Sequence, residues 1–397
     1  MDVRWYVAGS VGSTFQLLFL EYPKFDDLED YYYKLAEERA SNVELVTKRF
    51  EDDSGEAWLL KLTSPLNSNR RAVFIDCGKY GSDWMAIASC HYMIDQLLKR
   101  DLLMDYWILP LFNPTGYQYT WRSDRLWQKN TRDVSFICDG VFLDANYEKD
   151  FDPAGNPCSN TYPGERHTSE EETSFHIEML REFTETYPDM ASIASLSVMK
   201  WGGAIKVPAG ADKFVTDLAN KMATAAGDQF SVDQVPFQTG SGSATISDKI
   251  PFTFEFHPRG DAIHPDSDII NAGEELLRAV DALESHLFGC TENGGKLIMG
   301  GGKGDITGSI TMVNMMGFAT PGQDASGMRG RLYSRAMYVR NCDPATKPFV
   351  FVSGDHGMGD WTFKSQVVQQ LNKIGINLDE TQIILSGTGP NGWLGKY

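Results

Sequence analysis

Along residues 25–40, FDDLEDYYYKLAEERA, the apolar side chains Leu28, Tyr31, Tyr32 and Leu35 recur at helical spacing. The spacing predicts an opening helix with one inward face. Asp26 and Asp27 fall in its first turn, where the helix dipole favours negative charge. The period then shortens. AWLLKLT and AVFIDC are compact apolar runs separated by the polar turn SPLNSNRR, and each reads as a strand. The amphipathic stretch MAIASCHYMIDQLLKR and the apolar run YWILPLF follow. Strands alternating with helices predict an α/β fold, a mixed sheet flanked by helices.

Further on, EELLRAVDALESHLF carries Leu276, Val280, Leu283 and Leu287 as a helical stripe, and GCTENGG interrupts it. Such a break after a long helix predicts a domain boundary. Beyond it the periodic segments are FVFV, KSQVVQQLNKI and QIIL. One strand–helix–strand unit is too little to bury a core of its own, so these residues predict a partial second α/β domain. Its apolar strands are expected either to stay exposed or to pack against the first domain.

Length and charge narrow the function. With 397 residues the chain exceeds what one core usually serves. It is 42% hydrophobic, yet charge breaks every long apolar run, which predicts no transmembrane helix. The first twenty residues, MDVRWYVAGSVGSTFQLLFL, lack the continuous apolar core of a secretion signal. A net charge of -18 argues against nucleic acid as a partner, because that binding needs a basic patch to neutralise phosphates. The six cysteines show no C-x-x-C spacing. Cys138 and Cys158 flank the turn-rich segment DGVFLDANYEKDFDPAGNP, which reads as a disulfide loop and favours an oxidising, extracellular compartment.

Two polar stretches admit bland and functional readings. In ERHTSEEET, His167 stands beside carboxylates, and Thr168 or Ser169 before the run of Glu predicts a helix cap. TGSGSATIS has the small residues of a phosphate cradle but no following G-K-[ST], so it is expected to be a flexible loop.

FIDCGKYGSDWM, YWILPLFNPTGYQYTWRSDRLWQKN, LDANY, PCSNTYPGERHTSEEET and IPFTFEF occur in that order. Together they resemble the A/B-type zinc carboxypeptidase family over about residues 25–289. In that family an H-x-x-E pair and a later His hold zinc, and the resemblance sets Tyr80, Asp83 and Met199 at those positions. A phenol must lose a proton with a pKa of about 10 to ligate, Asp is one methylene shorter than Glu, and a thioether suits zinc poorly. No metal is therefore expected, with zinc implied only if altered ligands still hold it.

The family's oxyanion-stabilising arginine falls on Gln128. Its Asn-Arg clamp for the substrate carboxylate falls on Asn146 and Tyr147, its arginine beside the glutamate ligand on Ser82, and its lid tyrosine on Phe237. Losing the arginine of the clamp removes bidentate recognition of a free C-terminus. Glu255 retains the general-base position, and without an activated water it reads as a satisfied strand-end carboxylate. His257, two residues on, shares its strand face and admits an acid/base pairing with it, while a lone strand histidine reads first as structural.

The tail carries GDITGSITMVNMMGFATPGQDASGMRGRLYSRAMYV, then FVFVSGDHGM and QIILSGT, and these are similar to the start of the neutral ceramidase family's catalytic domain. That family's T-H-T-H zinc element is replaced by Ser386, Gly387, Thr388, Gly389 and Pro390, leaving His356 as a lone nearby histidine. The expected organisation is an N-terminal segment 1–24, a carboxypeptidase-like domain 25–289, a linker 290–303 and a truncated ceramidase-like segment 304–397. The expected function is a catalytically impaired carboxypeptidase homologue that binds peptides in the old substrate cleft. The alternatives are an active peptidase with altered metal ligands and a fusion product without a role.

Overall fold

The computed structural model describes residues 19–287, apart from 53, 66, 68, 69, 150, 154 and 238–240, together with 297–307, 330–341, 347–355, 361–373 and 378–387. The chain divides into two compact units, Met1–Leu287 and Phe288–Tyr397.

The first unit is built on a mixed sheet of eight strands: β1 (Val43–Arg49), β2 (Glu56–Leu62), β3 (Ala72–Cys77), β4 (Asp105–Leu109), β5 (Ile193–Val198), β6 (Ala204–Pro208), β7 (Ser231–Val235) and β8 (Phe252–His257). Their spatial order is β1-β2-β4-β3-β5-β8-β6-β7. The central strands β4, β3, β5 and β8 run parallel, and antiparallel partners lie outside them. Every residue of these central strands is buried, as expected of strands covered on both faces; AVFIDC reads as a nearly continuous apolar run, whereas FTFEFH alternates Phe with Thr, Glu and His.

The helices are α1 (Phe25–Glu38), α2 (Trp84–Leu97), α3 (Pro114–Arg122), α4 (Glu171–Thr186), α5 (Lys213–Ala226), α6 (Gly242–Ser247) and α7 (Ile269–Leu287). In α1, Leu28, Tyr32 and Leu35 face inward as their spacing predicts, and Asp27 accepts the Lys24 N–H at 3.3 Å. Asn113 caps α3 by accepting the Gly116 N–H at 2.9 Å, with Pro114 preset for the first turn.

Disulfides join Cys138 to Cys158, as the flanking cysteines imply, and Cys77 to Cys90. The second pairing is not visible in the sequence, where both residues resemble small buried apolar positions. It ties the end of β3 to the middle of α2 and closes the turn that forms the candidate site.

Two local expectations need correction. Ser241 is no loop residue, because its hydroxyl accepts the Ala244 N–H at 3.1 Å and caps α6. The cap of α4 is neither Thr168 nor Ser169: the N-cap residue is Glu170, while the Ser169 hydroxyl is bonded to Glu170 and to Asn146.

The second unit contains β9 (Leu297–Asp305), β10 (Tyr333–Asn341), β11 (Phe349–Gly354), α8 (Trp361–Lys373) and β12 (Ile383–Gly387). β11, α8 and β12 form the expected strand–helix–strand unit with parallel pairing. The expectation of a lone unit is corrected, since β10 and β9 extend the sheet antiparallel in the order β12-β11-β10-β9. The expected linker 290–303 is corrected with it, because residues from Leu297 onward already belong to β9. The register places Met299, Met337, Phe349, Phe351 and Ile384 on one face of this sheet, each between 37% and 61% exposed.

Candidate functional site

The C-terminal ends of β3, β5 and β8 lie side by side, and the turns leaving them bring the candidate residues together. After β3 the chain turns at Gly78, whose φ of 71° suits glycine and whose N–H reaches the Val198 carbonyl at 3.0 Å. Gly81 then passes so close to Gly116 that a side chain would lie 2.6 Å from its backbone. Asp83 opens α2, with its carboxylate 3.4 Å from the Tyr80 N–H and its own N–H on the Tyr80 carbonyl at 3.0 Å.

The ligand positions named from the resemblance are close together but packed as a core. Tyr80, Phe142 and Met199 form a buried apolar cluster with Ala145 against it. The Tyr80 and Phe142 rings are 5.2 Å apart, and the Lys200 ammonium lies 4.8 Å over the Tyr80 ring. The Tyr80 hydroxyl donates to Asp144 Oδ2 at 2.9 Å. Burial, then the charges of Asp144 and Asp83, push that phenol well above the ordinary tyrosine value, so it keeps its proton. Burial also raises Asp83 to about 7, against the lowering effect of the Lys200 and Tyr80 N–H groups and the Lys200 charge. These residues do not fit zinc: one is a protonated phenol already donating, one a carboxyl closing a helix turn, and one a thioether among aromatic rings.

Behind this cluster lies a buried ionic network that sequence reasoning missed. The Lys79 ammonium stands 3.2 Å from Asp76 Oδ1 and 3.8 Å from Asp144 Oδ1. Burial opposes its charge, but Asp76, Asp144 and Glu255 outweigh that and hold its pKa above the usual lysine value. His176 shares a 2.7 Å hydrogen bond with the Tyr147 hydroxyl. Burial drives the His176 pKa down to about 3, so the ring is neutral. One sequence signal was available: Asp76 sits inside the apolar run AVFIDC, and a buried carboxylate requires a partner.

Glu255 and His257 end β8 on one face, and Glu255 Oε2 and His257 Nε2 lie 3.0 Å apart. Burial raises the carboxyl, but the His257 hydrogen bond and the neighbouring positive charges lower it further, so it stays ionised.

The substrate-binding positions are distributed differently. Asn146 is fully buried, donates to the Pro163 carbonyl at 2.8 Å and the Ser169 hydroxyl at 2.9 Å, and accepts the Glu170 N–H at 3.2 Å. Tyr147 is fully buried in the main core. Gln128 is half-buried, and its carbonyl accepts from Asn113 and Gly81 at 3.4 Å each. Phe237 is half-buried just past β7. Ser82 is buried, and its carbonyl accepts from Arg125 at 2.9 Å, while that guanidinium stacks 3.9 Å over Trp84. His167 lies apart on the surface. In the second unit Ser386 and Gly387 end β12, whereas His356 and residues 388–390 lie outside the described residues.

The sequence profile of the zinc carboxypeptidase family matches residues 29–279, more than half of the chain. That of neutral/alkaline non-lysosomal ceramidase, N-terminal, matches residues 297–397. Carboxypeptidase B of Rattus norvegicus is 26% identical over 301 residues, covering 68% of this chain and 72% of that protein. Mast cell carboxypeptidase A of Mus musculus is 27% identical over 207 residues, and this chain spans only 49% of its length. The structure of bovine thrombin-activatable fibrinolysis inhibitor in complex with tick carboxypeptidase inhibitor shares the fold. It superimposes with a TM-score of 0.60 at 22% identity, covering 69% of this chain and 99% of that one.

Proposed function

The chain belongs to the zinc carboxypeptidase family, and from that premise we propose that its first unit binds peptides in the inherited cleft without hydrolysing them. The observation that carries this reading is the Tyr80–Phe142–Met199 cluster, which puts packed apolar contacts where a catalytic metal would need open donors. Glu255 is held by His257, and a carboxylate general base needs a polarised water to act upon. Burial of Tyr147 leaves no bidentate cation at that position to grip a free C-terminus. The cleft is therefore expected to favour internal peptide segments over chain ends.

The two disulfides support an oxidising compartment. Among the described residues, no helix is long and apolar enough to cross a membrane. For the second unit the proposal is a structural role without ceramide hydrolysis.

Metal analysis, peptidase assay and peptide binding on the full chain test this directly. The expected result is sub-stoichiometric zinc, no release of C-terminal residues with zinc added, and saturable binding of peptides. Chelator-sensitive release of C-terminal residues, well above that of a Glu255→Gln variant, would overturn the reading. Absence of saturable binding would remove the binding half of it.

A further inference from the structure

Carboxylates buried beside the former metal position need a positive charge, and the chain carries one of its own. Lys79 immediately precedes Tyr80, and its side chain turns into the protein, where it is entirely buried with Asp76. Its ammonium is 3.2 Å from Asp76 and 3.8 Å from Asp144, and it donates to the Ser197 hydroxyl at 3.4 Å. Ser197 donates in turn to the other Asp76 oxygen at 2.7 Å. Asp144 spends its second oxygen on the Tyr80 phenol. The lid of this chamber is Gly242, where any Cβ would come within 2.7 Å of the ammonium nitrogen. Buried ion pairs are fragile to loss of one partner, because the other is then left charged and dry.

We propose that Lys79 is the resident cation of this site, its ammonium supplying the charge that holds Asp76 and Asp144 and, through Asp144, the Tyr80–Phe142–Met199 cluster. Lys79 is thus a positioning residue that touches no substrate. The inference rests on the non-hydrolytic reading only in taking the site as free of metal. It goes beyond it by naming the group that neutralises the buried carboxylates and so fixes the Tyr80 phenol.

The test uses the full chain and its variants Lys79→Met, Asp144→Asn and the double variant, followed by urea denaturation. Lys79→Met is expected to lower the urea midpoint, and Asp144→Asn to recover part of that loss in the double variant while lowering the midpoint alone. An unchanged midpoint in Lys79→Met, or additive effects in the double variant, would each overturn the proposal. Should Lys79→Met fail to fold, the parent chain still decides: under native amine acetylation Lys79 is expected to stay unmodified while exposed Lys213 reacts. Reaction of both at similar rates would sink the idea. Peptide turnover and binding are read separately, so failure of the functional reading and failure of this one are distinguishable.

Discussion

A single residue, Glu172, sets the sign of part of the pH dependence. It lies buried on α4, 3.4 Å from the Thr115 hydroxyl and 3.5 Å from Asn130 Nδ2. Burial, helped by the Glu170 charge and opposed by its hydrogen bonds, raises its carboxyl to about 8. The folded state therefore binds a proton that the unfolded state gives up near the ordinary glutamate value of about 4.3. Its contribution is fully present below that value, declines as pH rises, and is gone above about 8. Glu172→Gln should flatten the stability profile between these limits and make the variant the more stable one at pH 9 by a few kcal/mol at most. Denaturation midpoints across pH check this; Asp83 contributes a similar slope up to about 7 in both proteins, so the difference profile isolates Glu172. At the ligand positions, Tyr80→His, Asp83→Glu and Met199→His together should recover chelator-reversible zinc binding before any peptidase activity. Gln128 and the inward-turned Tyr147 would still leave a substrate's carboxylate without a clamp. Equilibrium dialysis and a C-terminal release assay separate the two. Tyr80 and Asp83 were marked in the sequence because both fall in one turn of a segment that carries the resemblance, and Met199 was marked only by counting within a separate, much later segment. Lys79, Asp144 and His176 were not, because what matters about them is contact across long separations, such as 118 residues between Lys79 and Ser197.

Elements were legible in proportion to how well their local pattern agreed with their burial. Among the central strands of the first sheet, β3 and β4 were readable as apolar runs, whereas β5 and β8 interleave Ser, Thr, Glu and His with their apolar residues. β9 was missed because LIMGGGKGD is weighted with glycine, which carries no side chain to mark a face and disfavours strands. YSRAMYVRN in β10 mixes charge and apolar groups without clean alternation. Both become strands through pairing with each other and with β11, information that a local period does not contain. The resulting sheet exposes an apolar face at Met299, Met337, Phe349, Phe351 and Ile384, which is the kind of patch that drives association. Replacing Phe349 and Phe351 with Thr should keep the strand, since both suit a pleated surface, and should lower dye binding by exposed apolar surface and slow aggregation. An unchanged dye signal would show that this face is covered in solution. α6 offers a second element-scale check: Gly242→Ala forces a methyl group within 2.7 Å of Lys79 Nζ and 3.0 Å of the Tyr147 ring. The expected cost is about 1–3 kcal/mol of stability, measurable as a fall in denaturant midpoint.

At the scale of the whole molecule, the two units differ in how they are held. The first has an eight-stranded sheet covered by helices and two disulfides. The second has a four-stranded sheet and α8. A larger unit buries a greater share of its surface and gains more from it, so the first should unfold at the higher temperature. Both cross-links constrain its unfolded chain alone: Cys138–Cys158 closes a loop of 20 residues and Cys77–Cys90 one of 13. For loops of this length each contributes about 3 kcal/mol through the unfolded state. Calorimetry of the full chain is therefore expected to show two transitions, with reductant moving the upper one downward by several degrees and leaving the lower one in place. Peptide mapping without reduction should recover both linked pairs from the same preparation. If reductant shifts the two transitions equally, the units unfold as one cooperative body and their separate stabilities have been wrongly assigned. If it shifts neither while both pairs are intact beforehand, the cross-links join segments that stay close in the unfolded state, and the stability of the first unit rests on its buried sheet.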